Sequence, residues 1–594
     1  MLLLGSLAVA AVGGAQPRAA TLPALGSAAP SLLSEGGDVP PPLRFVAETP
    51  TEFVHDKGGT GRRYLPETMG AGLALLDYDG DGDLDLYVVQ GGPIAPSAEV
   101  SASPRPGNRL FANDGHGRYT EVPGAAGAAD PGYGMGCAVA DIDHDGDPDL
   151  YVTNFGADVL YRNDGGSFVD VTVEAGLGDD GWGASAAFAD FDRDGHVDLY
   201  VTRYLTFTLE THRECTLGKK IPAYCSPDAY PGAADRLYRN LGNGRFEDVT
   251  EEAGLAEHRG KGLGVVCADF DRDGRVDVYV ANDGVANQIL FNRVSTTPSA
   301  GATPKGADPD AATPPSRPKW RFVDDTLVAG VGYNDDGMAQ AGMGIAIGDL
   351  DGDRQTDLFV TNLSGETNVF YRAIDSGFFE DATAVSRLGP PSFLLTGFGA
   401  DAADFDADGD LDLFVINGHV IDNIAEFNDH QSYGQPDQLF LNNGTGRFAV
   451  APLAIEGMQL GVGRGSVVGD VDGDGDLDVV VSQCEGPMVL YRNQGATGRH
   501  LRLRLEGRRS NRDAIGARVD ATFGGRTVTR VVYGGGSYLS ASPYDLHLGV
   551  GPATEIEALV VTWPSGATQR LESVPTFGAG EAGVRTVTEP GGKR

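Results

Sequence analysis

Short runs of β-branched, aromatic and aliphatic residues recur along most of the chain, bounded by turns rich in Gly, Asp and Asn, and they read as strands. Four kinds of run follow one another in a fixed order. A Gly-x-Gly segment leads into small and apolar residues (Gly134 to Ala140, Gly342 to Gly348), and an apolar run comes next (Leu86-Tyr87-Val88-Val89, Leu199-Tyr200-Val201, Leu358-Phe359-Val360). The third is Leu160-Tyr161-Arg162-Asn163 or its likeness, and the fourth is Phe168 to Thr172, Phe246 to Thr250, Phe322 to Thr326 or Phe378 to Thr383. Seven such units between residues 43 and 495, at about 65 residues each, predict an all-β fold, a seven-bladed β-propeller. The seventh unit reaches Leu490-Tyr491-Arg492-Asn493 and has no fourth run. Arg44 to Thr49 matches the Arg-Phe-x-x-x-Thr of Arg245 to Thr250, so the N-terminal run is expected to complete the last blade and remove an open edge. From Arg499 the pattern changes to strict alternation, Leu501-Arg502-Leu503-Arg504-Leu505, and further strands follow to Leu571. Residues 499–577 thus predict a small β-sandwich-like domain and 578–594 a flexible tail. The Pro-rich stretch 294–318 reads as a disordered insertion.

Between the first and second run of every unit lies Asp-x-Asp-x-Asp-Gly-x-x-Asp, with four or five aspartates in nine residues. The copies hold Asp77, Asp79, Asp81, Asp83 and Asp85; Asp141, Asp143, Asp145, Asp147 and Asp149; Asp190, Asp192, Asp194 and Asp198; and Asp269, Asp271, Asp273 and Asp277. The last three hold Asp349, Asp351, Asp353 and Asp357; Asp404, Asp406, Asp408, Asp410 and Asp412; and Asp470, Asp472, Asp474, Asp476 and Asp478. So many carboxylates in one loop repel unless a cation offsets them, and a hard, flexible oxygen set selects Ca²⁺, up to seven structural ions. Side chains at positions 1, 3, 5 and 9 are the expected ligands, with a backbone carbonyl at position 7, where His196, Arg275 and Gln355 contribute nothing else. An EF-hand is excluded, because position 12 is Val88, Val152, Val201, Val280, Val360, Val415 or Val481 where a bidentate Glu is required. Loop five is the weak copy, with Arg354 in place of the position-6 glycine.

These loops with their Gly-x-Gly lead and following strand resemble FG-GAP/VCBS repeats, the calcium-binding propeller blades also found in integrin α chains. Asn511 to Val519, Gly535-Gly536-Ser537-Tyr538-Leu539-Ser540, Leu546 to Gly551 and Val561 to Gly566 resemble the ASPIC/UnbV domain. The combination is similar to the cartilage acidic protein family and its bacterial relatives. That resemblance implies a secreted, acidic, calcium-binding protein with adhesion or matrix roles, and implies no reaction.

A formal charge of −39 excludes nucleic acid and anionic membranes as partners and favours cations. Leu2 to Ala11 is too short to span a bilayer. Followed by Gly13-Gly14-Ala15, it reads as a signal peptide over 1–15 with a linker over 16–42, although no Lys or Arg follows Met1. Export to a secreted, periplasmic or cell-surface location suits a disulfide between Cys215 and Cys225, which share one polar loop, whereas Cys137, Cys267 and Cys484 read as buried thiols.

In an up-and-down blade the Asp loops all fall on one face. Insertions at 90–108, 203–235 and 418–437 fall on the other, where a ligand is expected. Tyr204, His212, Arg213, Tyr224 and Tyr230 lie in one insertion, and His419, Asp422, Asn423, Glu426, Asp429, His430 and Tyr433 in another. Three functions stay open: a module that binds an extracellular carbohydrate or protein through this face, aided by the C-terminal domain, an enzyme using His419, Asp422 and His430 there, or purely structural adhesion through Ca²⁺-bridged surfaces. In the C-terminal domain Asp513, Arg518, Tyr538, Ser540, His547 and Trp563 carry no nucleophile–base spacing, and Trp563 reads as core. The oligomeric state is not legible.

Overall fold

A computed structural model describes residues 43–94, 106–217, 221–294, 320–451, 460–496 and 498–591. The segments read as signal peptide and linker, and the 294–318 insertion beyond its first residue, lie outside the described residues. Among the described residues, seven four-stranded antiparallel sheets follow one another, the second and third joined through a hydrogen-bonded extension. The first sheet is typical, with strands Leu73–Leu76, Asp85–Val88, Arg109–Asn113 and Tyr119–Val122 in sequence order. The first strand of each sheet packs on that of the next, and the seventh on the first, so the sheets form a closed ring of blades. Phe45–Glu48 supplies the outer strand of the last sheet, pairing with Val489–Asn493 in the register Phe45↔Asn493. The Phe45 ring is buried edge-on against Phe405 and Phe414.

The Asn of the third strand explains why that motif recurs. Its side-chain amide donates across the blade boundary to the position-2 carbonyl of the preceding Asp loop. Asn163 reaches Tyr78, Asn240 reaches Ile142, Asn292 reaches Phe191, Asn442 reaches Leu350 and Asn493 reaches Phe405, all at 2.7–2.9 Å. Asn113 closes the ring on Val471 at 2.8 Å. Blade five has Ala373 at this place, and there the backbone N–H of Gly377 donates to Phe270 O at 3.0 Å.

The C-terminal domain has two sheets. One has three strands, Leu546–Gly551, Arg499–Glu506 and Val584–Thr588. The other has four, Arg526–Val531, Arg518–Phe523, Glu555–Thr562 and Thr568–Pro575. Trp563, 1% exposed, sits in the core with Leu501 and Leu503. The reading of 578–594 as a flexible tail is corrected here: Val584–Thr588 runs parallel to Arg502–Glu506 as a sheet strand. Its β-branched Val-Arg-Thr-Val-Thr run is short and flanked by Gly and Pro, and only a partner distant in sequence makes it a strand.

This domain sits on the Asp-loop face of the ring and sends one segment, Gly534 to Ser542, into the central channel. Gly534–Gly535 pairs with Val266–Cys267 of blade four, and Ser537 exchanges two backbone hydrogen bonds with Ile345 of blade five. Leu539 O accepts from Cys137 N of blade two at 3.1 Å, and Leu539 N donates to Ser185 Oγ of blade three at 3.1 Å. Ala541 bonds Leu73 and Leu75 of blade one, Val468 N of blade seven donates to Ser542 Oγ, and the Tyr538 ring lies 5.0 Å from Phe398 of blade six. The tongue thus contacts every blade. Gly536, at φ +129°, occupies backbone space that a Cβ would forbid.

Candidate metal centres and the filled channel

Each Asp loop is built the same way. The position-1 carboxylate accepts the N–H of the position-6 glycine at 2.9–3.2 Å in every loop but the fifth. Position 5 accepts the N–H of position 7, as in Asp145 with Asp147 and Asp408 with Asp410. The position-9 carboxylate spends both oxygens on backbone: one takes the position-2 N–H at 2.9–3.2 Å. The other takes the N–H of the third-strand Asn, or of Ala373 in blade five, at 2.8–2.9 Å. Position 9 is therefore the bolt between loop and sheet as well as a candidate ligand. The turn needs positive φ at position 6 and also at position 4, where His144, Arg193, Arg272 and Ala407 adopt it without being glycine. Sequence reasoning missed this second position, because no single residue type marks it. Loop five keeps the same turn, with Arg354 at φ +69°.

Ligand oxygens of Asp77, Asp79 and Asp85, of Asp141, Asp143 and Asp149, and of positions 1, 3 and 5 in loops three, four and five lie within 4.8 Å of one another. Asp77 Oδ1, Asp141 Oδ1, Asp143 Oδ1, Asp269 Oδ1 and Asp404 Oδ1 are buried with no hydrogen-bond partner. Burial, with the neighbouring carboxylates adding to it, pushes the Asp141 and Asp190 carboxyls up to about 7 and Asp404 to about 8. Asp198, Asp277, Asp357, Asp412 and Asp478 are pushed well above the usual carboxylate range by burial. Orphaned, convergent, protonation-prone carboxylates are the donor set that a hard divalent cation satisfies.

The loops also face cations from the protein itself. Arg512 lies 3.3 Å from Asp141, Arg526 2.9 Å from Asp410, Arg530 3.6 Å from Asp404 and Arg502 3.8 Å from Asp470. Asp513 accepts from Asp141 N at 2.8 Å, and the Arg354 carbonyl accepts from Arg518 at 3.0 Å. These contacts put the C-terminal domain on the face opposite the one it was expected to serve.

Five segments of the sequence, 77–152, 143–201, 226–280, 332–415 and 424–500, match the model described as FG-GAP-like repeat, and together they cover more than half of it. The chain belongs to the FG-GAP-like repeat family. Residues 507–578 match the ASPIC and UnbV model, so the tongue is part of that domain. Cartilage acidic protein 1 of Homo sapiens is 29% identical over 331 residues, 54% of this chain and 43% of the relative. The Xenopus tropicalis protein of the same name is 26% identical over 397 residues, 57% and 58% of the two chains. This chain thus spans about half the length of the curated relatives it matches. Among solved structures, an Agrocybe aegerita lectin that recognises non-reducing terminal N-acetylglucosamine aligns at TM-score 0.36 and 14% identity, over 70% of this chain and 87% of its own. AofleA from Arthrobotrys oligospora aligns at 0.30 and 10%, over 70% and 91%.

On the opposite face of the FG-GAP blades the insertions build a lid. Tyr204, Tyr224 and Tyr230 are buried in one cluster with Trp182, Phe207 and Tyr133. Tyr224 donates to Glu67 Oε2 at 3.1 Å and Tyr204 to Asp283. The expectation that these rings line a ligand surface is corrected: they close the channel, because their apolar area packs with blade residues such as Trp182 and with Tyr538 and Leu539 of the tongue into one core. Cys215 and Cys225 are disulfide-bonded within it, and Cys137, Cys267 and Cys484 are buried. His419 is 3% exposed, with Nδ1 accepting from Ile421 N and Nε2 beside Ser364 Oγ. Asp422 pairs with Arg63, and His430 is exposed. His419 and Asp422 are thus spent on separate structural contacts, and His430 stands apart in solvent. Sequence reasoning also missed Arg464, fully buried in the Gly-x-Gly of blade seven. Its guanidinium donates to the carbonyls of Thr68, Gly418, Gly463 and His419, and lies 3.9 Å over the Phe398 ring.

Beneath the tongue a cavity of about 230 Å³ remains, lined by Asp401, Ser537, Ser540, Arg502, Arg530 and Tyr544 among others. Burial pushes the Asp401 carboxyl up to about 7, and Ser466 donates to it.

Proposed function

We propose that this FG-GAP propeller is an exported, calcium-loaded module that binds an extracellular carbohydrate or protein through the polar crown of its insertion face. The observation that carries the reading is the set of orphaned, inward-pointing carboxylates repeated around the ring. Ca²⁺ would sit among positions 1, 3, 5 and 9, neutralise their repulsion and stiffen the face on which the ASPIC/UnbV domain docks. Asp and Arg side chains of that domain then act as an outer fence around the ions. With the channel filled and the lid aromatic rings buried, contact with a partner falls to exposed groups such as Arg62, Glu426, Asp429 and His430. Among the described residues no helix is long and apolar enough to cross a membrane.

The test is retention of the calcium-loaded protein on insoluble polysaccharides and matrix proteins, with and without chelator, and mass spectrometry of the supernatant. Calcium-dependent retention without released products is expected. Released products would replace the binding module by an enzyme, and absence of retention on every support would remove the adhesion reading.

A further inference from the structure

His144 and His196 belong to different blades and meet at the boundary between them. His144 is the fourth residue of loop two, and its backbone is held at φ +67°, a left-handed turn that throws the ring sideways toward loop three. His196 is the seventh residue of loop three, facing back. The ring centroids are 4.7 Å apart and the planes are tilted by 58°, which is not the geometry of a stacked pair. Two ring nitrogens, His144 Nε2 and His196 Nδ1, are buried without a hydrogen-bond partner. Backbone geometry preserves the pocket on the far side: a Cβ at Gly242 would stand 2.7 Å from His196 Nε2. Two unsatisfied imidazole nitrogens in one place call for a ligand that accepts lone pairs.

We propose that His144 and His196 form a site for one borderline divalent transition ion, Zn²⁺ or Co²⁺, clasping blade two to blade three. Nitrogen donors distinguish it from the oxygen-only loops, which suit harder ions. The Asp194 carboxylate accepts from His196 N at 2.9 Å beside the pair, and water completes the shell.

Co²⁺ titration in saturating Ca²⁺, followed by visible ligand-field absorption, tests the site apart from the Asp loops. One calcium-insensitive equivalent is expected, displaced by Zn²⁺. His144→Asn, which relaxes the left-handed backbone, and His196→Gln should each weaken it by about tenfold or more while the melting temperature in Ca²⁺ holds. Absence of calcium-insensitive Co²⁺ absorption overturns the proposal, as does equal affinity in both variants.

Discussion

Gly136→Ala isolates the contact between tongue and ring. The second glycine of Gly-x-Gly in blade two faces the channel, and the three atoms nearest to an added Cβ are all in the tongue: Leu539 O at 2.8 Å and Leu539 Cα and Cβ at 2.9 Å. Gly136 does not sit at positive φ, so alanine is unstrained in the blade itself and the conflict is confined to the tongue. Overpacking of this kind costs about 1–3 kcal/mol. Withdrawal of Leu539 also takes away the 3.1 Å acceptor of Cys137 N, and a buried N–H without a partner costs about 1–3 kcal/mol more. Relaxation absorbs part of both, leaving about 2–4 kcal/mol of easier opening, or roughly 30- to 1000-fold faster amide exchange. Hydrogen exchange read by mass spectrometry on peptides covering 534–545 and 134–140 measures it. Gly181→Ala, whose Cβ meets nothing closer than 3.8 Å, serves as the control. Unchanged protection of 534–545 in Gly136→Ala would refute the account of the tongue as a plug held by close backbone approach.

Chelation should lower the melting temperature, since each site at 100-fold saturation contributes about 2.7 kcal/mol to the native state; an identical melt in EDTA after prolonged dialysis would sink the calcium assignment. Deleting residues 43–49 exposes the edge of Val489–Asn493 and empties the Phe45 site, a loss of about 3–5 kcal/mol with aggregation, checked by light scattering and denaturation. Arg354→Gly relieves a left-handed arginine and should stabilise the protein by about 1 kcal/mol, read from the urea midpoint. Burial, with the Arg464 guanidinium, holds His419 down to about 4. The unfolded chain therefore takes up this proton first, and the contribution present above pH 6.5 is lost as pH falls toward 4, by about 3 kcal/mol. His419→Gln should flatten that part of the stability–pH curve, and an unaltered slope would contradict it.

Local chemistry was enough to specify the loops, the order of four strands per blade, the N-terminal strand in the last sheet and most strands of the C-terminal domain. Most of these depend on residues within about ten positions of one another, Asp at fixed spacing around a turn and apolar runs between Gly and Asn, while the N-terminal strand was placed by the fourth run that the seventh unit lacks. Tertiary structure alone decided what fills the axis. The second glycine of Gly-x-Gly reads in sequence only as the lead into a run of small and apolar residues, yet at Gly136 it is small because Leu539, 403 residues later, lies against it. Val584–Thr588 became a strand through pairing with Arg502–Glu506, and Tyr204, Tyr224 and Tyr230 became core through Trp182 and Phe207, whose packing no period in their own segment encodes. A polar insertion with a few rings has the same composition whether the rings face water or each other. The outcome is set by which distant surfaces meet, since burial is a property of the pair and not of either sequence.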